Sequence, residues 1–197
     1  MTSGGSGLRG AWAGDYAVWR PGFDALFDEL DSTPVRVLSW GPGAHHKRWY
    51  AKREQICSHL AGNQFNSVLT PERLAKEDER FSRVLDSYEA QELQAEVADI
   101  IICLEVEDPS VTGPLGEILK WGPHPVFQDK IRLLAHKKTL SSSKGFLSQA
   151  ARLFPPHLTY TYTSAQFESC VDIRSKCDQW VDAVRKQKWS RARRPAK

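Results

Sequence analysis

The chain has 197 residues, 41% of them hydrophobic and 26% charged, which suits one globular domain large enough to bury a core. Its longest apolar run, Ile100–Leu104, is far too short to span a membrane, and Met1–Gly10 lacks the apolar stretch of a secretory signal. A cytoplasmic protein without membrane contact is expected. The four cysteines (Cys57, Cys103, Cys170 and Cys177) show no CxxC spacing and no histidine at zinc-ligand distance. Reduced thiols are expected, and neither a metal site nor a resident cofactor is expected. Charge is uneven: Arg185–Lys197 holds seven basic residues and no acidic one, so removing that tail from a net +3 leaves the remainder at −4.

In chain order, residues 1–20 read as a flexible lead-in. Phe23, Leu26, Phe27 and Leu30 recur at helical spacing, with Pro21 suited to the helix start. Val35–Trp40 reads as a first core strand, closed by "GPG". A basic helix follows from about His46 to Leu60. Phe65–Leu69 is a short second strand, and Thr70-Pro71-Glu72 forms a helix N-terminus with Pro71 at the first position. Residues 72–97 carry one long helix or two shorter ones.

Ile100–Val106 is continuously apolar, as a parallel strand covered on both faces should be. A short helix over Gly116–Trp121, a strand over Lys130–Ala135, a loop and helix through residues 141–154, and a strand over Leu158–Thr163 come next. Ser164 then caps a final helix reaching about Lys188. Its apolar face comprises Phe167, Cys170, Val171, Ile173, Cys177, Trp180, Val181 and Val184. Strands alternating with helices predict an α/β fold: a doubly wound, mainly parallel, Rossmann-like or flavodoxin-like sheet of about five strands. The expected organisation is a single domain over 21–188 and a basic disordered tail over 189–197. The strands before the basic helix and before Glu117 should be central neighbours.

Ligands of such sheets bind beyond the carboxyl ends of the strands. Two loops belong at that edge. In the first, Trp40-Gly41-Pro42-Gly43 precedes His45, His46, Lys47, Arg48, Lys52 and Arg53, a cluster that suits a phosphate or, equally, a solvated basic face. It matches neither G-x-G-x-x-G nor a P-loop, so kinase and ordinary dehydrogenase readings lack support. In the second, Glu105, Glu107 and Asp108 lead into Thr112-Gly113-Pro114-Leu115-Gly116-Glu117. Glu117 is either a reactive carboxylate or a first-turn carboxylate favoured by the helix dipole. Asp108-Pro109 is equally a turn former. No histidine of the six is placed by motif, and no serine–histidine–aspartate set is recognisable.

These segments ("WGPG", "ADIIICLEV" over Ala98–Val106, and Gly113 four residues before Glu117) resemble the nucleoside 2-deoxyribosyltransferase-like group, itself similar to TIR-type NAD hydrolases. The likeness covers roughly residues 35–137, with Gly113-Pro114 where that group carries glycine–threonine. It implies cleavage of an N-glycosidic bond of NAD, a nucleoside or a nucleotide as substrate, in a defence-type effector. A carboxylate would then stabilise or attack an oxocarbenium-like centre. On that reading Glu117 and Asp108 are catalytic, with Asp108 or Glu107 holding a ribose hydroxyl or orienting water. Trp40, Gly41, Gly43, Lys47, Arg48, Tyr50, Gly113 and Gly116 bind substrate, and Trp40, Trp49 or Tyr50 stacks on the base. The alternative is a non-catalytic Rossmann-like nucleotide sensor or interaction module. The basic tail leaves a nucleic-acid or protein partner open, and a homo-oligomer stays open too.

Overall fold

The structure, a computed structural model, describes residues 8–80, 87–108, 111, 124, 126–141 and 154–194. The chain divides into two units, Pro34–Val184 and Met1–Thr33 with Arg185–Lys197.

In the larger unit five parallel strands form one sheet: β1 (Val35–Trp40), β2 (Asn66–Leu69), β3 (Ile100–Leu104), β4 (Ile131–His136) and β5 (Thr159–Tyr162), in the order β2-β1-β3-β4-β5. That is the doubly wound α/β order whose direction of winding reverses between β1 and β3. These two strands pair from Val37↔Ile100 to Trp40↔Cys103, as the sequence predicts of central neighbours. Period-two alternation divides the core. Val35, Val37, Ile100, Ile102 and Leu104 pack on one face with Ile56, Cys57 and Leu60 of α2 (Lys47–Ala61). Leu38, Trp40, Ile101, Cys103, Leu133 and Ala135 pack on the other, together with Ala95 and Ala98. β3 is buried at every position, which explains its unbroken apolar sequence.

The helical stretch after β2 contains α3 (Pro71–Glu77) and α4 (Ser87–Val97). Thr70 caps α3 through its side chain, which accepts the Arg73 N–H at 3.3 Å. Lys130 closes the end of α4, donating to the Ala95 and Glu96 carbonyls at 3.1 and 2.8 Å. A short helix, α5 (Lys137–Ser141), follows β4 directly, in a stretch to which the sequence assigns no element. After β5, α6 (Ser164–Ser169) is opened by Thr163 rather than Ser164, in a capping box with Gln166. The chain then breaks at Cys170, which has a left-handed φ of 59°, before α7 (Val171–Ala192). The break shifts the helix phase: Ile173, Cys177, Trp180, Val181 and Val184 are buried as expected, whereas Val171 is 58% exposed. The four cysteines are buried, and none forms a disulfide with another.

In the smaller unit α1 runs over Leu8–Asp31. The structure differs here from the predicted lead-in. The apolar spacing continues back past Phe23 to Trp19, whose ring stacks on Phe23 at 6.4 Å, and Pro21 lies inside the helix. The predicted tail is also helical as far as Ala192. Arg185 is buried and donates to the Asp31 and Thr33 carbonyls at 3.2 and 2.5 Å, while Arg193 pairs with Glu29. These two cations of the basic stretch therefore serve the α1 terminus. Among the described residues, no helix is long and apolar enough to cross a membrane.

Candidate functional site

The carboxyl ends of β3, β4 and β5 open into a cleft of about 330 Å3, on the side of the sheet that carries α2 and α6. Each strand contributes through residues at or just past its last ladder position. Glu107 and Asp108 come from β3, His136 from β4, Tyr162 and Ser164 from β5; Arg48 and Trp49 from α2 and Phe167 and Glu168 from α6 complete the wall. The aromatic part is tightly arranged. Trp49 meets Phe167 edge-on at 5.2 Å, Phe167 stacks with Tyr162 at 5.5 Å, and Tyr162 meets the His136 ring edge-on at 5.4 Å.

Glu107 is engaged through both of its carboxylate oxygens. Its Oε1 pairs with Lys138, while Oε2 lies 3.3 Å from His136 Nε2 and accepts the Ser164 hydroxyl at 3.2 Å. The Lys138 hydrogen bond, with help from His136 and Ser164, holds its pKa below the usual carboxylate value. His136 Nδ1 accepts the Lys138 backbone N–H at 3.3 Å, which places the neutral ring's proton on Nε2, 3.1 Å from Ser164 Oγ. Burial pushes the His136 pKa down, against the pull of Glu107. Ser164 therefore faces an imidazole N–H rather than a free imidazole lone pair. The trio has none of the base-to-nucleophile order of a serine hydrolase.

Beneath this cluster Glu105 is 2% exposed. Its carboxylate accepts the His136 backbone N–H and the Thr139 hydroxyl, both at 2.9 Å, and its carbonyl accepts the Tyr162 hydroxyl. Burial nonetheless pushes its pKa up to about 7, because two donors do not replace full hydration of the anion. Burial likewise raises the Tyr162 phenol. Asp108 accepts the Trp49 indole N–H at 3.2 Å, which ties the β3 loop to α2.

The residues expected at the first loop have varied placements. Trp40 is fully buried in the core, so the stacking role expected of it does not survive its burial. Gly41 is pressed close: a Cβ there would lie 2.9 Å from Arg53 Cδ and 3.3 Å from Leu104 Cβ, so the glycine serves close approach of the first loop to β3. Arg53, only 2% exposed, donates to the Gly41 carbonyl at 3.2 Å and to Glu72 at 2.7 Å. Its guanidinium lies 5.0 Å above the half-buried Tyr50 ring, covering one face. Gly43 accepts the His46 N–H at 3.0 Å, and Lys47 is exposed. Arg48 lines the cleft, with its guanidinium 4.6 Å above the Trp49 ring. Gly113, Gly116 and Glu117 lie outside the described residues. Among the expected site residues, the cleft therefore brings together Asp108 and Arg48, along with Glu107 and Trp49.

Sequence reasoning missed His136, Ser164, Lys138 and Tyr162. Their signal was positional: each lies at or just past the carboxyl end of β4 or β5, the same edge from which Asp108 was selected. A larger hollow of about 480 Å3 lies over β1 and β2, lined mainly by Leu38, Leu69, Leu74, Leu93 and Val97. Its charged groups are paired, Arg36 with Asp99 and Asp78 with Arg80, and the rest of its lining is largely apolar. The fold and cleft define a doubly wound α/β protein with a polar and aromatic site at the carboxyl edge. No protein-family model matches the chain, and no curated protein matches it either.

Proposed function

We propose that the protein binds a nucleoside or nucleotide, NAD included, in the cleft beyond β3–β5 and cleaves its N-glycosidic bond. The observation that carries this reading is the meeting of two carboxylates, Glu107 and Asp108, with Trp49 and Phe167 in one pocket at the sheet edge where such folds take ligands. Aromatic walls suit a base. A carboxylate held ionised by Lys138 suits a ribose hydroxyl or the positive charge that develops at the sugar carbon. Glu117, four residues after Gly113, is the candidate nucleophile or charge stabiliser by resemblance, and action as a defence-type effector follows from the same likeness.

A second reading is a nucleotide sensor without turnover. It is favoured by the engagement of the cleft's described acids: Glu107 is held through both oxygens, Asp108 holds Trp49, and the His136 ring presents an N–H to Ser164. Incubation with NAD and a panel of nucleosides, with chromatographic detection of free base, separates the two. The enzyme reading expects release by the wild type and none by Glu117→Gln. Tight binding with no release from either protein would favour the sensor.

A further inference from the structure

Arg48 and Lys52 stand one helical turn apart at the start of α2, and both are occupied by one residue of α6. Arg48 Nη2 lies 2.5 Å from Glu168 Oε1, while Lys52 Nζ donates to the Glu168 carbonyl at 2.6 Å and lies 3.8 Å from Oε2. Arg48, Trp49 and Glu168 all line the cleft, so this ion cluster is part of its rim. We propose that Glu168 occupies an anion subsite formed by Arg48 and Lys52, and that the ligand's phosphate displaces it, making a phosphate-bearing nucleotide rather than a nucleoside the preferred ligand. This rests on the cleft being the nucleotide site.

Three features point the same way. The first turn of α2 contains no acidic residue but two cations, Lys47 and Arg48, and His46 provides no side-chain cap. Cations at a helix N-terminus oppose the helix dipole, so an anion supplied from elsewhere is stabilising there. Glu168 supplies one, and the Arg48 hydrogen bond holds its carboxyl below the usual pKa, so it is ionised at neutral pH. The pair is also easily exchanged: the Arg48 and Glu168 side chains are 67% and 54% exposed, and the contact is the weak kind that water and salt already screen.

A phosphate carries up to two charges and can take both cations at once, which a single carboxylate does less well. Trp49, between the two cations in sequence, offers its ring to the adjoining base, and Arg48 already lies over that ring at 4.6 Å. Rotation of the Glu168 side chain frees Arg48, while Lys52 keeps its bond to the Glu168 backbone carbonyl and turns a further ammonium N–H to the phosphate; α6 itself stays anchored by buried Phe167 and by the Thr163–Gln166 capping box.

The test is calorimetric titration of wild type, Glu168→Gln and Arg48→Ala with AMP, adenosine and inorganic phosphate, at low and moderate salt. Removing the competing carboxylate should tighten AMP about two- to fivefold, the range expected for release of an exposed ion pair. It should leave adenosine unchanged, while Arg48→Ala weakens AMP and inorganic phosphate but not adenosine. Inorganic phosphate should respond to Glu168→Gln in the same direction but bind more weakly than AMP. Equal responses of AMP and adenosine, or none for AMP, would overturn the subsite while leaving the cleft as a nucleoside pocket. Phosphate binding as tightly as AMP would overturn the nucleotide assignment. Failure of both AMP and adenosine to bind would overturn the cleft reading itself. Thermal melts of the two variants confirm that each is folded, since both positions are exposed.

Discussion

Glu105 is a carboxyl group with 2% exposure, held by two donors among the described residues, and its pKa is pushed up to about 7 from an ordinary 4.5. A raised carboxyl pKa means that the folded protein keeps a proton the unfolded chain has lost. The stabilisation is complete below pH 4.5 and disappears as pH rises through about 7. Over that window it amounts to about 3 kcal/mol. His136 works in the opposite sense: burial lowers its pKa, so its contribution is present above 6.5 and lost as pH falls. Urea unfolding at pH 5 and pH 8 separates them. The difference in stability between wild type and Glu105→Gln should shrink or reverse from pH 5 to pH 8, because only the wild type loses the protonated carboxyl. A difference independent of pH would show that Glu105 is ionised throughout.

Among the helices, the join between α6 and α7 bears most directly on the cleft, since α6 carries Phe167 and Glu168. Cys170 makes that join with a φ of 59°, the one positive value among the described non-glycine residues, and its side chain is 1% exposed. A β-branched side chain is strongly disfavoured there, so Cys170→Val should cost about 2 kcal/mol in thermal or denaturant unfolding. Cys177→Val, inside the regular helix, should cost much less, and equal losses at the two positions would show that backbone conformation is not the cause. This join also marks the limit of sequence reading. The spacing from Ile173 to Val184 identified the buried face of α7, but no glycine signalled a left-handed residue at 170, so the two helices read as one and Val171 was given to the core. Where composition and periodicity agreed, as in β3 and the Thr70-Pro71 helix start, the elements were legible. The cleft was half legible: Asp108 and Arg48 stood beside recognisable turns, whereas His136 and Ser164 become neighbours only when β4 and β5 pair side by side.

For the whole molecule, the sheet order places the ends of β3, β4 and β5 side by side, and that alignment turns scattered polar residues into one pocket. Two charged residues of the pocket and its loop work structurally as well: Asp108 ties β3 to Trp49, and Glu107 joins β3 to the β4 and β5 ends through Lys138 and Ser164. These contacts tie the walls of the pocket to the sheet itself. The most direct test of the central claim is the rate of free-base release from AMP and NAD by wild type, Glu107→Gln and Asp108→Asn, each checked for folding by its melting curve. If chemistry occurs in this cleft, both variants should lose about 100-fold or more in rate. Release at the wild-type rate from both folded variants would contradict it.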